Sequence, residues 1–216
     1  MTQLTVLGGT GYAGANIVAA AAERGLKVVS YSRKLPDTRI EGVEYRTGEV
    51  SDDSVLRDAF KDSDVVVSAL SPRGELEEPG RFRAVMRKEA EIAAAEGVRL
   101  GVIGGAGSLL VAEGGPRVYE TEGFPEAIKP EATILTEVLE DLRASDEALD
   151  WFLVSPAGGF GAGNPGTATG TYRVGGDILL VDARGESNLS GADLGLAVVD
   201  EIEKPAHHRT RFTVAY

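Results

Sequence analysis

The fold is decided by residues 2–25, TQLTVLGGTGYAGANIVAAAAERG, where a strand pattern, a glycine-rich turn and a helix pattern follow one another. Strand formers fill the first part, and small residues that favour a helix follow the turn. The glycines fit two spacings: Gly9, Gly11 and Gly14 satisfy G-x-G-x-x-G, while Gly8, Gly11 and Gly14 satisfy G-x-x-G-x-x-G. This arrangement predicts a turn over which a phosphate group can lie.

The glycines of such a turn have separate physical roles. One permits the tight turn, one lets the backbone approach a pyrophosphate, and one lets the helix pack close to the strand. The phosphates then lie on free N–H groups at the positive end of the helix dipole. Because the turn follows a strand and opens a helix, the stretch predicts dinucleotide binding.

The end of the second predicted strand favours NADP(H) over NAD(H). An acidic residue at this position would bind the ribose 2′-hydroxyl of NAD. The sequence has Ser32, Arg33 and Lys34 instead, and no carboxylate before Asp37. A hydroxyl and two cations suit a 2′-phosphate. The alternative is that the two cations only solvate a loop, as surface charges commonly do.

The rest of the chain alternates strand and helix patterns, which predicts a parallel sheet with helices on both faces. We therefore predict one α/β domain over residues 1–216, a Rossmann-type doubly wound sheet with a small C-terminal substrate lobe. The predicted later strands are residues 43–47, 64–70, 98–103, 151–154 and 212–214.

Residues 157–181 form the predicted substrate-side segment. Residues 157–171 are rich in Gly, Ala, Thr, Asn and Pro, which is the one marked shift in composition. Residues 171–174 and 178–181 then suggest a small hairpin. We expect Phe160 and Tyr172 of this segment to face the substrate.

Composition excludes several classes of function. The 22 basic and 34 acidic residues give a net charge of −12, which opposes non-specific binding to nucleic acid. The chain has no cysteine, so disulfides and thiolate chemistry are excluded and a reducing compartment fits. We find no signal peptide and no long apolar span, and we expect a cytoplasmic protein without a membrane partner. Composition does not indicate an oligomeric state.

Two common kinds of catalytic centre are poorly supported. The only histidines, His207 and His208, lie together after Pro205 and are expected to be exposed loop residues, so neither a metal site nor a Ser-His-Asp triad is indicated. No Gly-x-Ser-x-Gly nucleophile elbow is present.

Several motifs together resemble one family. They are the opening Gly-Gly-Thr-Gly-Tyr-Ala-Gly, the Tyr-Ser-Arg after the second strand, Gly-Gly-Ala-Gly-Ser-Leu after the fifth, Val-Ser-Pro-Ala near 155, and the closing Arg-Phe-Thr-Val. The chain resembles the NAD(P)H-binding atypical short-chain dehydrogenases/reductases of the NADH-flavin reductase subgroup, relatives of biliverdin reductase B and the NmrA-like proteins.

The resemblance implies a set of cofactor contacts along one edge of the sheet. Arg33 would hold the 2′-phosphate, and Gly105 with Ser155 and Pro156 would lie near the nicotinamide. The other implied contacts are Gly8, Thr10, Gly11, Tyr12, Ala13, Gly14, Glu49, Val50, Ala69, Leu70 and Ser71.

One departure from the larger family bears on the reaction. Typical short-chain dehydrogenases protonate the nascent alkoxide with a Tyr-x-x-x-Lys pair, and no tyrosine here has a lysine four residues later. Carbonyl reduction needs such an acid, whereas a flavin takes hydride at N5 and its proton can come from solvent. The subgroup's serine after the fifth strand is replaced by Gly105-Ala106, so Ser108 is the nearest candidate proton donor, or a residue that bonds only to backbone.

Three functions fit these residues. The first is an NADPH-dependent reductase of a small-molecule acceptor: a free flavin (FMN, FAD or riboflavin), a quinone or a tetrapyrrole. The second is a non-catalytic NADP-binding redox sensor of the NmrA type. The third, an epimerase of sugar nucleotides, is disfavoured by the chain length and by the missing tyrosine–lysine pair.

Overall fold

One sheet of eight strands organises the molecule. A computed structural model describes all residues, 1–216. The strands lie in the order β3-β2-β1-β4-β5-β6-β8-β7, and every neighbouring pair is parallel except β7 with β8. The strands are β1 (Gln3–Leu7), β2 (Lys27–Ser32), β3 (Val43–Thr47), β4 (Val65–Ser68), β5 (Arg99–Ile103), β6 (Trp151–Pro156), β7 (Arg173–Gly175) and β8 (Thr210–Ala215).

Helices cover both faces of the sheet, as the alternating pattern predicts. Residues of α1 and α5, such as Ile17 and Leu194, pack in one core cluster, and residues of α2, α3 and α4, such as Phe82 and Leu139, pack in the other. The helices are α1 (Tyr12–Glu23), α2 (Asp53–Phe60), α3 (Arg81–Glu96), α4 (Lys129–Arg143) and α5 (Gly191–Glu203). None of them combines the length and the apolar character that crossing a bilayer requires.

The central strands are apolar because they are buried on both faces. Every residue of β4, β5 and β6 is buried. A continuous apolar strand is typical of a parallel sheet covered by two helical layers. The doubly wound α/β fold of Rossmann type is therefore confirmed.

The strand order places a cleft between β1 and β4. From β1 the chain proceeds outward to β2 and β3 and then returns to β4 on the other side of β1. Ligands of such sheets bind outside the carboxyl ends of the strands at this reversal. The glycine-rich turn follows the carboxyl end of β1 and therefore lies at this cleft.

The predicted hairpin over 171–174 and 178–181 is wrong. Only β7 forms, and it adds to the edge of β8, with Val174 opposite Val214. Residues 178–181 form no strand; Ile178 instead makes an isolated bridge to Leu110. The edge of β8 offers unpaired backbone groups to β7, which local sequence could not reveal.

Candidate functional site

The glycine-rich turn is shaped by close approaches that only glycine allows. Gly8 has φ +78°, and its N–H donates to the carbonyl oxygen of Tyr31 at 2.9 Å. A Cβ on Gly14 would lie 2.2 Å from the Gly8 carbonyl oxygen, and one on Gly9 would lie 2.1 Å from Ser30 Oγ. Gly8 thus makes the turn, Gly14 lets α1 pack against it, and Gly9 lies against β2.

The start of α1 has the geometry of an anion site. The helix begins at Tyr12, with Gly11 as its N-cap, and the first N–H bonded to that cap is Ala15 N, 2.8 Å from the Gly11 carbonyl oxygen. The preceding amides, of Tyr12, Ala13 and Gly14, have no carbonyl partner within the helix. They lie at the positive end of the helix dipole, where a diphosphate would bind.

A cleft of about 280 Å³ extends from this turn across the ends of β2, β3 and β4. Ten of the residues predicted for the cofactor line it together. They are Gly8, Thr10, Gly11, Ser32, Arg33, Glu49, Val50, Ala69, Leu70 and Ser71. The structure thus brings together, from four separate segments, the residues expected around an adenosine phosphate.

The two cations after β2 have different surroundings. Arg33 lines the cleft, and its guanidinium takes part in no ion pair or hydrogen bond with the protein. Lys34 is exposed and does not line the cleft, so its expected role at the cofactor is not supported. Ser32 is fixed beside the turn, because its Oγ accepts from Thr10 N at 3.1 Å.

Arg73 lines the cleft, although the sequence predictions do not assign it to the cofactor. It lies in the loop after β4, and its guanidinium donates to both carboxylate oxygens of Glu131, on α4, at 3.0 and 3.2 Å. This ion pair joins the β4–α3 loop to the start of α4. The Ser71-Pro72-Arg73-Gly74 loop was the available signal, since it follows the carboxyl end of a central strand.

On the other side of β4, the residues expected near the nicotinamide lie at the ends of β5 and β6. Gly105 follows β5, and a Cβ there would lie 3.1 Å from Leu135 Cδ1. Ser155 and Pro156 end β6, with Ser155 fully buried. Ser108 is also buried, and its Oγ bonds to the Arg211 guanidinium at 2.9 Å and not to backbone.

Phe160 lies beside the glycine-rich turn. Its ring centroid is 5.3 Å from that of Tyr12, the first residue of α1. The Tyr12 hydroxyl accepts from Gly191 N at 3.1 Å and donates to the Pro165 carbonyl at 3.3 Å, so it is occupied within the protein. The Tyr12 side chain therefore joins α1, α5 and the 157–171 segment, while its backbone N–H remains available for a phosphate.

Tyr172 does not line the cleft, so the structure does not support its expected substrate role. Its hydroxyl donates to Asp200, near the C-terminal end of α5, at 2.6 Å. Asp200 also pairs with Arg24 at the C-terminal end of α1. The N-termini of both helices lie at the cleft edge, so this hydroxyl is directed toward the opposite end. Burial, together with the Asp200 carboxylate, raises the pKa of Tyr172 above its usual value.

His207 also differs from expectation, since it is half-buried and not an exposed loop residue. Its Nδ1 lies 2.7 Å from Glu201 Oε2, and its ring stacks on Phe212 with centroids 4.1 Å apart. Arg99 donates to the same carboxylate at 2.6 Å. This cluster lies at the amino end of β5, away from the cleft. His208 is exposed and bonds to Asp150.

Comparison with known proteins agrees with this geometry. A Bacillus subtilis (strain 168) protein, YwnB, whose name assigns no activity, is 34% identical over 98% of this chain and 97% of its own. The solved structure of a candidate NADH-flavin reductase from Streptococcus pneumoniae TIGR4 is 30% identical, with a TM-score of 0.88 over 100% of this chain and 99% of its own. The solved structure of a candidate epimerase from Bacteroides thetaiotaomicron is also 30% identical, with a TM-score of 0.88, and the match covers 100% of this chain and 97% of its own.

The family is shown by a profile described as NAD(P)H-binding, which matches residues 8–205. The match begins at the glycine that makes the turn and extends through α5. It therefore includes every residue of the cleft described above. The profile supports NAD(P)H binding, and the candidate NADH-flavin reductase of known structure adds support for oxidoreductase chemistry. The chain belongs to the NAD(P)H-binding family.

Proposed function

We propose that the protein is an NADPH-dependent reductase that transfers hydride to a free flavin or to a similar planar acceptor, a quinone or a tetrapyrrole. The observation that carries the cofactor choice is Arg33, an unpaired guanidinium in the cleft directly after β2. A planar cation of this kind suits a phosphate, and no carboxylate lies between the end of β2 and Asp37 to bind a free ribose diol.

The surroundings of the nicotinamide end support an acceptor that needs little acid catalysis. No tyrosine lies on α4, and Ser108 and Ser155 place hydroxyls near the ends of β5 and β6, both within hydrogen-bonding distance of Arg211. Hydride transfer to flavin N5 needs mainly the apposition of two rings. For an acceptor that must also take up a proton, we propose Ser108 as its donor.

The likeness to the Streptococcus pneumoniae protein described as a candidate NADH-flavin reductase supports the same reaction. The Bacteroides thetaiotaomicron protein described as a candidate epimerase is equally similar. Epimerisation of a sugar through a ketone intermediate would require a positioned acid–base pair. The absence of a tyrosine–lysine pair favours the reductase over the epimerase for this chain.

The test measures the oxidation of NADPH by the purified protein, with and without FMN, riboflavin or menadione. We expect oxidation to accelerate when a flavin or a quinone is added, and NADPH to be used more efficiently than NADH. Failure of every acceptor would remove the reductase proposal.

A redox sensor that holds NADP without turnover is the second candidate, because the same missing acid pair fits a protein that performs no reaction. Calorimetric binding of NADP(H), no turnover with any acceptor and capture of a specific protein partner would together favour this function.

A further inference from the structure

A buried arginine that none of these roles uses lies next to the proposed proton donor. The side chain of Arg211, on β8, is 3% exposed. Its Nη1 donates to Ser108 Oγ at 2.9 Å and to Ser155 Oγ at 3.4 Å. Its Nε donates to Asp177 Oδ1 at 2.7 Å, and its Nη2 bonds to the same carboxylate. One guanidinium thus connects a carboxylate to two hydroxyls at the ends of β5 and β6.

The direction of these hydrogen bonds is fixed by chemistry. A guanidinium has donors and no acceptor, so Ser108 Oγ and Ser155 Oγ must both accept from it. The hydrogen of the Ser108 hydroxyl then needs an acceptor elsewhere, and no protein atom provides one. The cation also stabilises negative charge on Ser108 Oγ. Both effects leave this hydroxyl ready to donate to a bound molecule.

Asp177 holds Arg211 in place and connects it to the substrate-side segment. The carboxylate also accepts from Arg143, on α4, at 2.9 Å. Burial raises the pKa of Asp177, but the two guanidinium groups outweigh it and hold that pKa below its usual value. The Asp177 carbonyl accepts from Leu110 N at 2.8 Å, which joins the segment after β7 to the loop after β5.

We propose that Arg211, held by Asp177, is a positioning residue that keeps the Ser108 hydroxyl hydrogen directed toward the hydride acceptor. This inference rests on the proposed reductase function. Hydride leaves NADPH for the acceptor, and NADPH becomes NADP⁺. The electron pair displaced within the acceptor moves to its oxygen or nitrogen, which takes the proton of Ser108 while both electrons of the Oγ–H bond stay on Oγ. Solvent supplies a proton to Oγ in the same step, so that no free alkoxide forms, and Arg211 stabilises the negative charge that develops on Oγ.

Two hydride acceptors test this role, because they differ in their need for a proton. Menadione gains a phenolate oxygen that must be protonated, whereas reduced FMN is stable as an anion at slightly alkaline pH. We expect Ser108→Ala to lower kcat with menadione by about 10²-fold. We expect Arg211→Gln to lower it by about tenfold to a hundredfold, the effect of one lost charge-assisted hydrogen bond. In both variants the ratio of menadione to FMN turnover should fall, and KM for NADPH should change much less than kcat with menadione.

Arg209→Gln is the matched control. Arg209 is also an arginine beside β8 with several hydrogen bonds, but they go to Ser145 and to the carbonyls of residues 145, 146 and 149. This variant should lose thermal stability without changing the ratio of menadione to FMN turnover. A solvent isotope effect on menadione reduction should be present in the wild type and the control and altered in Arg211→Gln.

The outcomes separate this inference from the function on which it rests. If the wild type reduces both acceptors and Arg211→Gln behaves like Arg209→Gln, the positioning role is overturned and the reductase stands. If Arg211→Gln does not fold, Asp177→Asn replaces it as the test variant, because its amide still offers a hydrogen-bonding group to Arg211. An unchanged ratio of menadione to FMN turnover in Asp177→Asn would also overturn the positioning role. A wild type that reduces neither acceptor removes the reductase and this inference together.

Discussion

At the scale of single residues, the charged groups around the cleft differ mainly in whether the protein already satisfies them. Arg73 is occupied by Glu131, and Arg211 by Asp177, whereas Arg33 lines the cleft without a partner. An unpaired guanidinium can turn toward a ligand without breaking an ion pair, while a paired one must first break its own. We therefore propose Arg33 as the residue that recognises a 2′-phosphate.

We predict that Arg33→Ala weakens NADPH binding by about 1.5–3 kcal/mol, the range for a lost hydrogen bond to a charged group. NADH binding should change little, because NADH has no 2′-phosphate. Isothermal calorimetry with both coenzymes measures the difference. Lys34→Ala is the control, since Lys34 lies outside the cleft. Equal losses for both coenzymes would place recognition of the phosphate elsewhere.

At the scale of elements, the turn between β1 and α1 depends on a backbone contact and not on a side chain. The Gly14 backbone packs so closely on Gly8 that an added methyl group must displace one of the two. Any displacement moves the first amides of α1, which form the anion site. The helix packing and the ligand geometry are therefore coupled through one position.

We predict that Gly14→Ala destabilises the protein by about 1–3 kcal/mol, as overpacking commonly does. It should also abolish binding of both NADPH and NADH, because the amides bind the shared diphosphate. Gly163→Ala is the matched control, since nothing lies within 4 Å of a Cβ there and its φ is not left-handed. Thermal melting and calorimetry report the two effects. Retained binding in Gly14→Ala would contradict the role of the turn.

A buried carboxylate of α5 holds the C-terminal end of the 157–171 segment. Asp193 is 2% exposed and accepts from the amides of Thr169 and Gly170 at 2.8 and 2.9 Å, and it also bonds to Tyr216. Burial raises the pKa of Asp193, but these hydrogen bonds outweigh it, so the pKa lies below its usual value. The segment is therefore anchored at its end and not free along its whole length.

We predict that Asp193→Asn costs about 1.5–3 kcal/mol, because charge-assisted hydrogen bonds are lost and an amide must fit among donors. The wild-type contribution is present above the unfolded pKa of the carboxyl group and disappears as pH falls through the lower folded pKa. Limited proteolysis should cut the variant within 157–171 sooner than the wild type. Asp53→Asn, on the surface, is the control, and equal cleavage rates in the two variants would refute the anchor.

At the scale of the whole molecule, the sheet and α3 enclose a carboxyl group that the site does not use. Glu89 is fully buried; its Oε1 lies 3.2 Å from Ser68 Oγ, and its Oε2 has no partner. Burial raises the pKa of Glu89 to about 8, although the hydrogen bond from Ser68 opposes this. The folded protein therefore holds this group neutral where the unfolded chain would ionise it.

We predict that this carboxyl group makes the protein less stable as pH rises. Its stabilising contribution is complete below the unfolded pKa and declines until the folded pKa, about 8, is reached. The slope within that window is at most about 1.4 kcal/mol per pH unit. Glu89→Gln should remove this slope and should be more stable than the wild type at the upper end of that pH window. Denaturant unfolding at a series of pH values measures the free energy of unfolding of both proteins. If that free energy depends on pH in the same way in both, the effect is excluded.

The sequence by itself determined the alternation of strands and helices, the dinucleotide turn and the basic residue after β2. These features are local, because an apolar strand, a glycine spacing and a cation at a strand end each depend on a few neighbouring residues. For that reason β1 to β6 lie where the local patterns predict them. Ten residues that the sequence and the family resemblance assign to the cofactor line one cleft.

Only the tertiary structure decided the partners of distant side chains. The pairing of β7 with β8, the contact of Tyr172 with Asp200 and the enclosure of Arg211 each join residues that no local pattern relates. The two strands meet because an open sheet edge offers hydrogen bonds. Arg211, which lies opposite Leu153 in β6, reaches Ser108 through the length of its side chain. The fold could therefore be predicted from neighbouring residues. The hydroxyls proposed to face the hydride acceptor, in contrast, are positioned by contacts that form only when the chain folds.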